Sequence, residues 1–270
     1  MKPNDKVIVV TGGGSGMGRE LVLELLRRNA RVAALDINPK SLAETVSLAG
    51  EHAKRLEAMT VNITDRAAVE ALAPAVVERF GAVDGIINCA GIIQPFVRLK
   101  DLDYATIDRV FDVNWRGTLY LTKTFLPLLL ARPEGHIVNV ASMGGFLPVP
   151  GQTVYGASKA AVKLMTEGLH SELAGTKVHV TVVFPGAINT NITVNSGVDR
   201  PRMGDASKAP QIYPADKAAR DIIAGMERNE FRVLVGRDAK LLDKLYRLMP
   251  QQAASFIASK MGDLLPPHLG

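Results

Sequence analysis

Tyr155 and Lys159 stand four residues apart in VYGASKAAVK, Val154 to Lys163. No helix breaker follows Gly156 in this stretch, so it reads as helix, and the spacing brings both side chains to one face, a turn apart. A phenol beside a fixed ammonium can give up and take back a proton where a lone phenol is inert. An unperturbed Tyr titrates near ~10, so bringing it to neutrality means stabilising the phenolate by about 4 kcal/mol. One desolvated positive charge at close range can supply much of that. An isolated YxxxK is commonplace on amphipathic helices. The pair gains meaning only if other segments bring a cofactor, an electrophile site and a pocket.

The first such segment is TGGGSGMG, Thr11 to Gly18. It follows an apolar run, Lys6 to Val10, and opens a helical pattern from Gly16 to Arg28 with Met17, Leu21, Leu25 and Leu26 on one face. Strand, turn and helix in that order form a phosphate-binding context. The spacing is G-x-x-x-G-x-G on Gly12, Gly16 and Gly18, with Ser15 and Met17 between, and not G-x-G-x-x-G. Asp36 closes the second apolar run, twenty residues after Gly16. An acid there accepts hydrogen bonds from the adenosine ribose hydroxyls and repels a 2′-phosphate. Ser15 and Ile37 offer no compensating cation, so the residues favour NAD over NADP. Asp36 also reads as a cap for the helix from Asn38 onward, and the two roles are compatible. Asn62 and Ile63 end the third strand, where they would edge the adenine. NCAG, Asn88 to Gly91, ends the fourth. Its small Ala90 and Gly91 suit close backbone approach, and Cys89 reads as a buried small apolar residue rather than a nucleophile.

The elements that must position these residues alternate along the chain. Strand patterns fall at Lys6–Val10, Arg31–Leu35, Leu56–Val61, Asp84–Asn88, His136–Val140, Val178–Phe184 and Phe231–Val235. Helical patterns lie between them, among them Asp65-capped residues to Phe80, Tyr104 to Ala131, Thr153 to Ala174 and Ala215 to Arg228. Seven short strands separated by helices predict an α/β fold with an open, mostly parallel sheet covered on both faces. The 270 residues, 47% hydrophobic and 22% charged, suit one soluble domain. The single Cys89 fits a reducing compartment, and the polar Met1–Lys6 start reads as no signal peptide, so a cytoplasmic location is expected. The five His show no zinc-like spacing, and no metal is expected. A net charge of +5 comes from Lys and Arg interspersed with acids, which argues against a nucleic-acid partner.

In order and spacing, TGGGSGMG, Asp36, NCAG, Asn114 in DVNWRG, Ser142 in NVASMGG, YGASK and PGAINT at Pro185 to Thr190 resemble the short-chain dehydrogenase/reductase family, in its shorter single-domain form. The resemblance covers Lys6 to about Val235. It implies a Rossmann-type, doubly wound parallel sheet of order 3-2-1-4-5-6-7 and reversible hydride transfer between NAD(H) and a carbonyl/alcohol pair. It makes Tyr155 the acid/base, with Lys159 lowering its pKa and binding the nicotinamide ribose. Ser142 holds the substrate oxygen, and Asn114 helps hold a water that links Lys159 to solvent. Pro185, Gly186, Ile188 and Thr190 bind the nicotinamide side, with Asn88 part of the cofactor surface. Readings that compete with a dehydrogenase of secondary alcohols are a 3-oxoacyl-thioester reductase, against which Asp36 argues, and a non-catalytic dinucleotide sensor or scaffold.

Substrate walls are expected from Ile93–Val97, Met143–Gly151 and a lid at Asn189–Tyr213. Gln94, Gly144 and Phe146 are candidate contacts beside Ser142 and Tyr155. Phe146, Leu147, Val149, Ile93 and Phe96 suggest an apolar, medium-sized pocket for a lipophilic substrate, and Arg200, Arg202 and Lys208 in the lid read as solvated charges. From Asp238 the tail departs from the family ending. It reads as two helices broken at Pro250, the first with Leu241, Leu242, Leu245, Leu248 and Met249 along one side. Such a helix packs on its own subunit or a sister subunit, with a membrane surface as the weaker alternative. The family resemblance implies a homodimer or homotetramer.

Overall fold

A computed structural model describes residues 1–198 and 212–261. The central part of the expected lid, with Arg200, Arg202 and Lys208, lies outside the described residues, as does the end of the tail. Strands β1 (Val7–Thr11), β2 (Arg31–Asp36), β3 (Leu56–Thr60), β4 (Gly85–Asn88), β5 (Gly135–Val140) and β6 (Val178–Pro185) alternate with helices α1 (Gly16–Arg27), α2 (Pro39–Ala49), α3 (Arg66–Phe80), α4 (Tyr104–Phe111), α5 (Thr118–Leu130) and α6 (Thr153–Glu172). Then come two-residue β7 (Ile188–Asn189), short α7 (Ile192–Ser196), two-residue β8 (Tyr213–Pro214), α8 (Ala215–Glu227), β9 (Arg232–Val235), α9 (Arg237–Leu248) and α10 (Pro250–Met261).

Seven strands form one parallel sheet in the order β3-β2-β1-β4-β5-β6-β9. This is the expected order, with β9 as the seventh strand because β7 and β8 pair only with each other. Strands β1, β4 and β5 are buried along their whole length, which is why they read as unbroken apolar runs. Alternate side chains go to opposite faces. Ile8, Val10 and Val32 meet Leu21, Leu25, Ile222 and Met226 of α1 and α8 on one face. Val7, Val9 and Ile137 meet Val69, Val76, Phe125 and Leu129 of α3 and α5 on the other. Each such side chain contributes roughly 1.5–3 kcal/mol by leaving water. The chain leaves β3 and returns on the other side of β1, so the strand order reverses between β1 and β4. Open α/β sheets bind ligands beyond the strand ends at such a reversal.

Local signals act as expected at several ends. The Asn38 side chain accepts from Lys40 N and Ser41 N, with Pro39 in the first turn of α2. Asp65 Oδ1 accepts from Ala68 N, and Gly81 ends α3 in the left-handed region at φ 82°. The α2 cap is therefore Asn38 itself, while Asp36 Oδ1 accepts from Asn38 N.

Three readings are corrected. The helix expected over Tyr104–Ala131 is interrupted by a π turn at Asp112–Gly117. Such turns are inserted for packing and leave no mark in hydrophobic period. Within the described part of the expected lid the chain forms β7, α7 and β8 rather than loop alone. The leucines of α9 do not share one side: Leu242 is 7% exposed, whereas Leu241 and Leu248 are 68% and 80% exposed. The inward face of the helix also carries Asp243, to whose Oδ1 the partly buried Arg232 Nη2 of β9 donates at 2.9 Å. Burying Asp243 with its partner excludes Leu241 and Leu248 from the same face.

Candidate active site

A groove of about 430 Å³ crosses the strand ends at the β1/β4 reversal. Its walls include Gly12, Ser15, Gly16, Met17 and Gly18 from the first turn, Asp36, Ile37 and Asn38 after β2, Asn62 and Ile63 after β3, and Ala90 and Gly91 after β4. Thr190, Asn191 and Asn195 close the far side. Helix α1 enters this groove without a side-chain cap, whereas α2, α3 and α4 are capped by Asn38, Asp65 and Asp103. Its first-turn N–H groups are thus left for an anion. Asp36 Oδ2 accepts from Gly14 N at 2.9 Å, which holds the carboxylate against the turn. Thr11 Oγ1 accepts from Cys89 N and Ala90 N, both at 3.0 Å, and so ties the turn after β4 to β1.

The close approach of α1 to β1 depends on Gly18. A methyl there would lie 2.1 Å from Gly12 O and 2.6 Å from Gly12 C, both main-chain atoms that cannot rotate away. Gly18→Ala is expected to destabilise the fold by about 1–3 kcal/mol and to weaken dinucleotide binding by more than about tenfold. Calorimetry and NADH titration check both, and unaltered binding would show that the turn is not a phosphate cradle.

Behind Gly91 of the groove wall lies Lys159 of α6, and Tyr155 stands one turn before it. Gly144 lies beside the phenol: a methyl on it would sit 3.4 Å from Tyr155 Cε1 and 3.5 Å from Ser142 Oγ. Ser142 Oγ accepts from Gly144 N at 3.1 Å. Desolvation of the partly buried Tyr155 raises its pKa above the ordinary value, and the neighbouring Ser142 hydroxyl opposes this. The Lys159 ammonium is buried and donates to Val140 O at 2.9 Å, and burial lowers its pKa to about 8. Behind Gly91, Lys159 Nζ and Asn114 Oδ1 come within 3.1 and 3.2 Å of the point a Gly91 side chain would occupy. Only glycine leaves that space open.

The π turn swings Asn114 inward, where it is fully buried. Its Oδ1 accepts from Ile92 N and its Nδ2 donates to Ile92 O and Ser158 Oγ. The main-chain carbonyl accepts from Thr118 Oγ1. Asn114 therefore braces the turn after β4 against α6.

Some expected contacts face elsewhere. Gln94 is buried, and its Oε1 accepts from Val154 N and Tyr155 N, so it caps the start of α6 rather than opening onto a ligand. Phe146 packs edge-on against Phe184 at 5.4 Å and near Tyr246 at 6.3 Å. Leu147 is fully buried among Leu242, Ala253 and Ile257 of the tail helices. The Asn88 side chain turns into the core, donating to Asn139 Oδ1 and Thr122 Oγ1. Pro185 and Gly186 extend the β6–β9 edge, and Ile188 packs into the core cluster under α8. Of that segment Thr190 reaches the groove. Burial pushes the Cys89 thiol up to about 12, in keeping with a small apolar role.

Residues 6–200 match the family model of the short chain dehydrogenases. The chain belongs to that family. A Mycobacterium tuberculosis relative of this short-chain dehydrogenase, which carries the name oxidoreductase SadH, is 37% identical over 268 residues, 97% of each chain. A Burkholderia phymatum short chain dehydrogenase/reductase in complex with NAD superposes with a TM-score of 0.81 at 26% identity, over 92% of this chain and 96% of that one. A Burkholderia cenocepacia short chain dehydrogenase in complex with NADP gives 0.80 at 27% identity, over 95% and 99%. The family binds a nicotinamide dinucleotide, and the uncapped α1, the glycine turn and the groove walls fit one. Among the described residues no helix is long and apolar enough to cross a membrane.

Sequence reasoning missed several residues of this dehydrogenase site. Arg109 lines the groove and donates from Nη2 to Ser196 O at 2.6 Å, Ser196 Oγ accepts from Ile93 N, and Asn195 Nδ2 donates to Ser15 Oγ. These bonds seat α7 across the groove. They join residues up to 180 positions apart, and no local pattern announces them. Thr11 could have been found, since it opens the glycine motif.

Proposed function

We propose that this enzyme is an NAD-dependent oxidoreductase that interconverts a secondary alcohol and its ketone, with Tyr155 as acid/base. The observation that carries the reading is the grouping of Ser142 and Tyr155 around Gly144, with buried Lys159 beside Gly91 of the groove wall. When bound, the cofactor takes up hydride from the alcohol carbon or, reduced, returns it to the ketone. The chain's own residues manage the oxygen and its proton. Ser142 Oγ and Tyr155 Oη grip the substrate oxygen from two sides. In oxidation Tyr155 takes the hydroxyl proton, and in reduction it donates its own. Its raised pKa in the free enzyme suits the donor role, and the neighbouring Ser142 hydroxyl works toward the acceptor role. We assign Lys159 to the nicotinamide ribose and the proton route past Asn114, both of which flank Gly91. Gly12, Ser15, Gly16, Met17 and Gly18 would hold the pyrophosphate, Asn62 and Ile63 the adenine, and Thr190 the nicotinamide side.

Asp36 supports NAD. Arg109 is the one cation among the described groove-lining residues, and it donates to Ser196 O. A 2′-phosphate beside Asp36 would meet a carboxylate already held in place by Gly14 N and Asn38 N. Asp36→Ala is expected to raise KM for NAD about tenfold relative to NADP, the loss of a charge-assisted hydrogen bond. The ratio is the readout, because loosening the turn would affect both cofactors alike. An unchanged ratio refutes the NAD assignment.

The lipophilic substrate is a reading of the apolar Ile93–Val97 and Met143–Gly151 segments, and the packing of the second lends it no direct support. Met143, Phe146, Leu147 and Val149 pack with Leu242, Leu245, Tyr246, Ala253 and Ile257 of α9 and α10. Nicotinamide absorbance with a graded panel of secondary alcohols tests the lipophilic reading. KM should fall as apolar length increases. Binding of NADH without turnover of any member would support a non-catalytic sensor instead.

A further inference from the structure

The tail that departs from the family ending reaches back to the cofactor turn through one carboxylate. Asp238, in the first turn of α9, accepts from Ala187 N with Oδ2 at 2.8 Å. The carboxylate rests on Gly186 so closely that a methyl on that glycine would lie 2.2 Å from Oδ1 and 2.4 Å from Cγ. Gly236, at φ 96°, makes the same close approach from the other side, 2.5 Å from Oδ1. The Ala187 peptide is thus held at both ends, since its carbonyl accepts from Tyr213 N at 2.8 Å. Gly186 N itself donates to Val235 O. Immediately after this clamp the chain forms β7, and Thr190 then enters the groove wall opposite Gly16. The ion pair of Asp243 with Arg232 ties the same helix to β9.

We infer that Asp238 is a positioning residue for cofactor binding: it sets the Pro185–Thr190 turn and couples the packing of the tail helices to the nicotinamide half of the site. This rests on the reading that the groove holds a nicotinamide dinucleotide. The adenosine half is held by other elements, around Gly12–Gly18 and Asp36. A clamp on the Ala187 peptide should therefore affect the two halves of the cofactor unequally, which a general loss of stability would not.

The test uses the full chain and two probes, NADH and ADP-ribose, which lacks the nicotinamide. Asp238→Ala is expected to raise Kd for NADH about tenfold, the loss of a charge-assisted bond, and to leave Kd for ADP-ribose within about twofold. Asp238→Asn keeps an oxygen for Ala187 N and should restore NADH binding to within about threefold of wild type. Equal weakening of both probes, or no weakening of either, overturns the proposal. Should Asp238→Ala fold poorly, Gly186→Ala disturbs the same contact from the other side. It should weaken NADH alone, and unaltered NADH binding in that variant likewise overturns the coupling. A wild type that binds ADP-ribose but not NADH, or neither, refutes the dinucleotide reading itself.

Discussion

Tyr155→Phe is expected to lower turnover by about 10³-fold or more while leaving NADH affinity within about twofold. The ring stays, so its packing beside Gly144 persists. What is lost is the Oη, whose pKa the neighbouring Ser142 hydroxyl lowers and which we assign to proton exchange with the substrate oxygen. Ser142 Oγ keeps its bond from Gly144 N, so the substrate pocket is not left with an orphaned hydroxyl. Steady-state rates with NADH titration separate the two effects. Residual activity near wild type would remove Tyr155 from the acid/base role. A parallel loss of NADH binding would mean that the hydroxyl itself helps to hold the cofactor. In the same spirit Ser142→Ala removes the hydroxyl that lowers the Tyr155 pKa, so the alkaline rise of the oxidation rate should move to higher pH.

Lys159→Met is expected to abolish most turnover and yet to stabilise the free enzyme. The ammonium is buried, with a pKa lowered by desolvation from 10.5 to about 8. Between pH 8 and 10.5 the unfolded chain therefore binds more protons than the native one, and stability rises with pH across that window. Below pH 8 the full cost of burying the charge is present. That shift corresponds to at most about 3 kcal/mol. Methionine fills a similar volume but leaves Val140 O without its donor, which returns about 1–2 kcal/mol. The net expectation is a gain of about 1–2 kcal/mol at pH 7 that shrinks toward pH 10. Calorimetry at both pH values checks it. A variant less stable than wild type at pH 7 would mean that the bond to Val140 O outweighs the buried charge. Sites that carry an unfavourable group for the sake of chemistry are where such a trade is expected.

The legible part of the site is the part written in short range. The glycine turn, Asp36 and the Tyr155/Lys159 spacing sit within single strand–turn–helix or helical segments; the turn and Asp36 line one strand-end groove, and Lys159 approaches its wall at Gly91. Gln94 shows the opposite case. Its sequence neighbours Ile93 and Phe96 read as a pocket wall, but its amide oxygen instead serves α6, some sixty residues away. An amide side chain carries no mark of which distant N–H it will satisfy. Asn114 belongs to the same class: an Asn within a helical pattern reads as solvent-facing unless a π turn rotates it, and the hydrophobic period does not record that turn.

The sequence by itself determined the layered α/β fold, the strand order through family spacing, the position of the dinucleotide groove and the members of the Ser142–Tyr155–Lys159 cluster. Those follow from hydrophobic period, backbone permissiveness at glycine and helical spacing, all of which act over a few residues. Only the tertiary structure decided that burial pushes the Tyr155 pKa up and the Lys159 pKa down, because desolvation depends on what encloses a group. It also decided which α9 leucines face inward beside Asp243. It placed Asp238 of the same helix against the cofactor turn. That contact joins residues fifty-one positions apart, and nothing shorter than the folded chain specifies it.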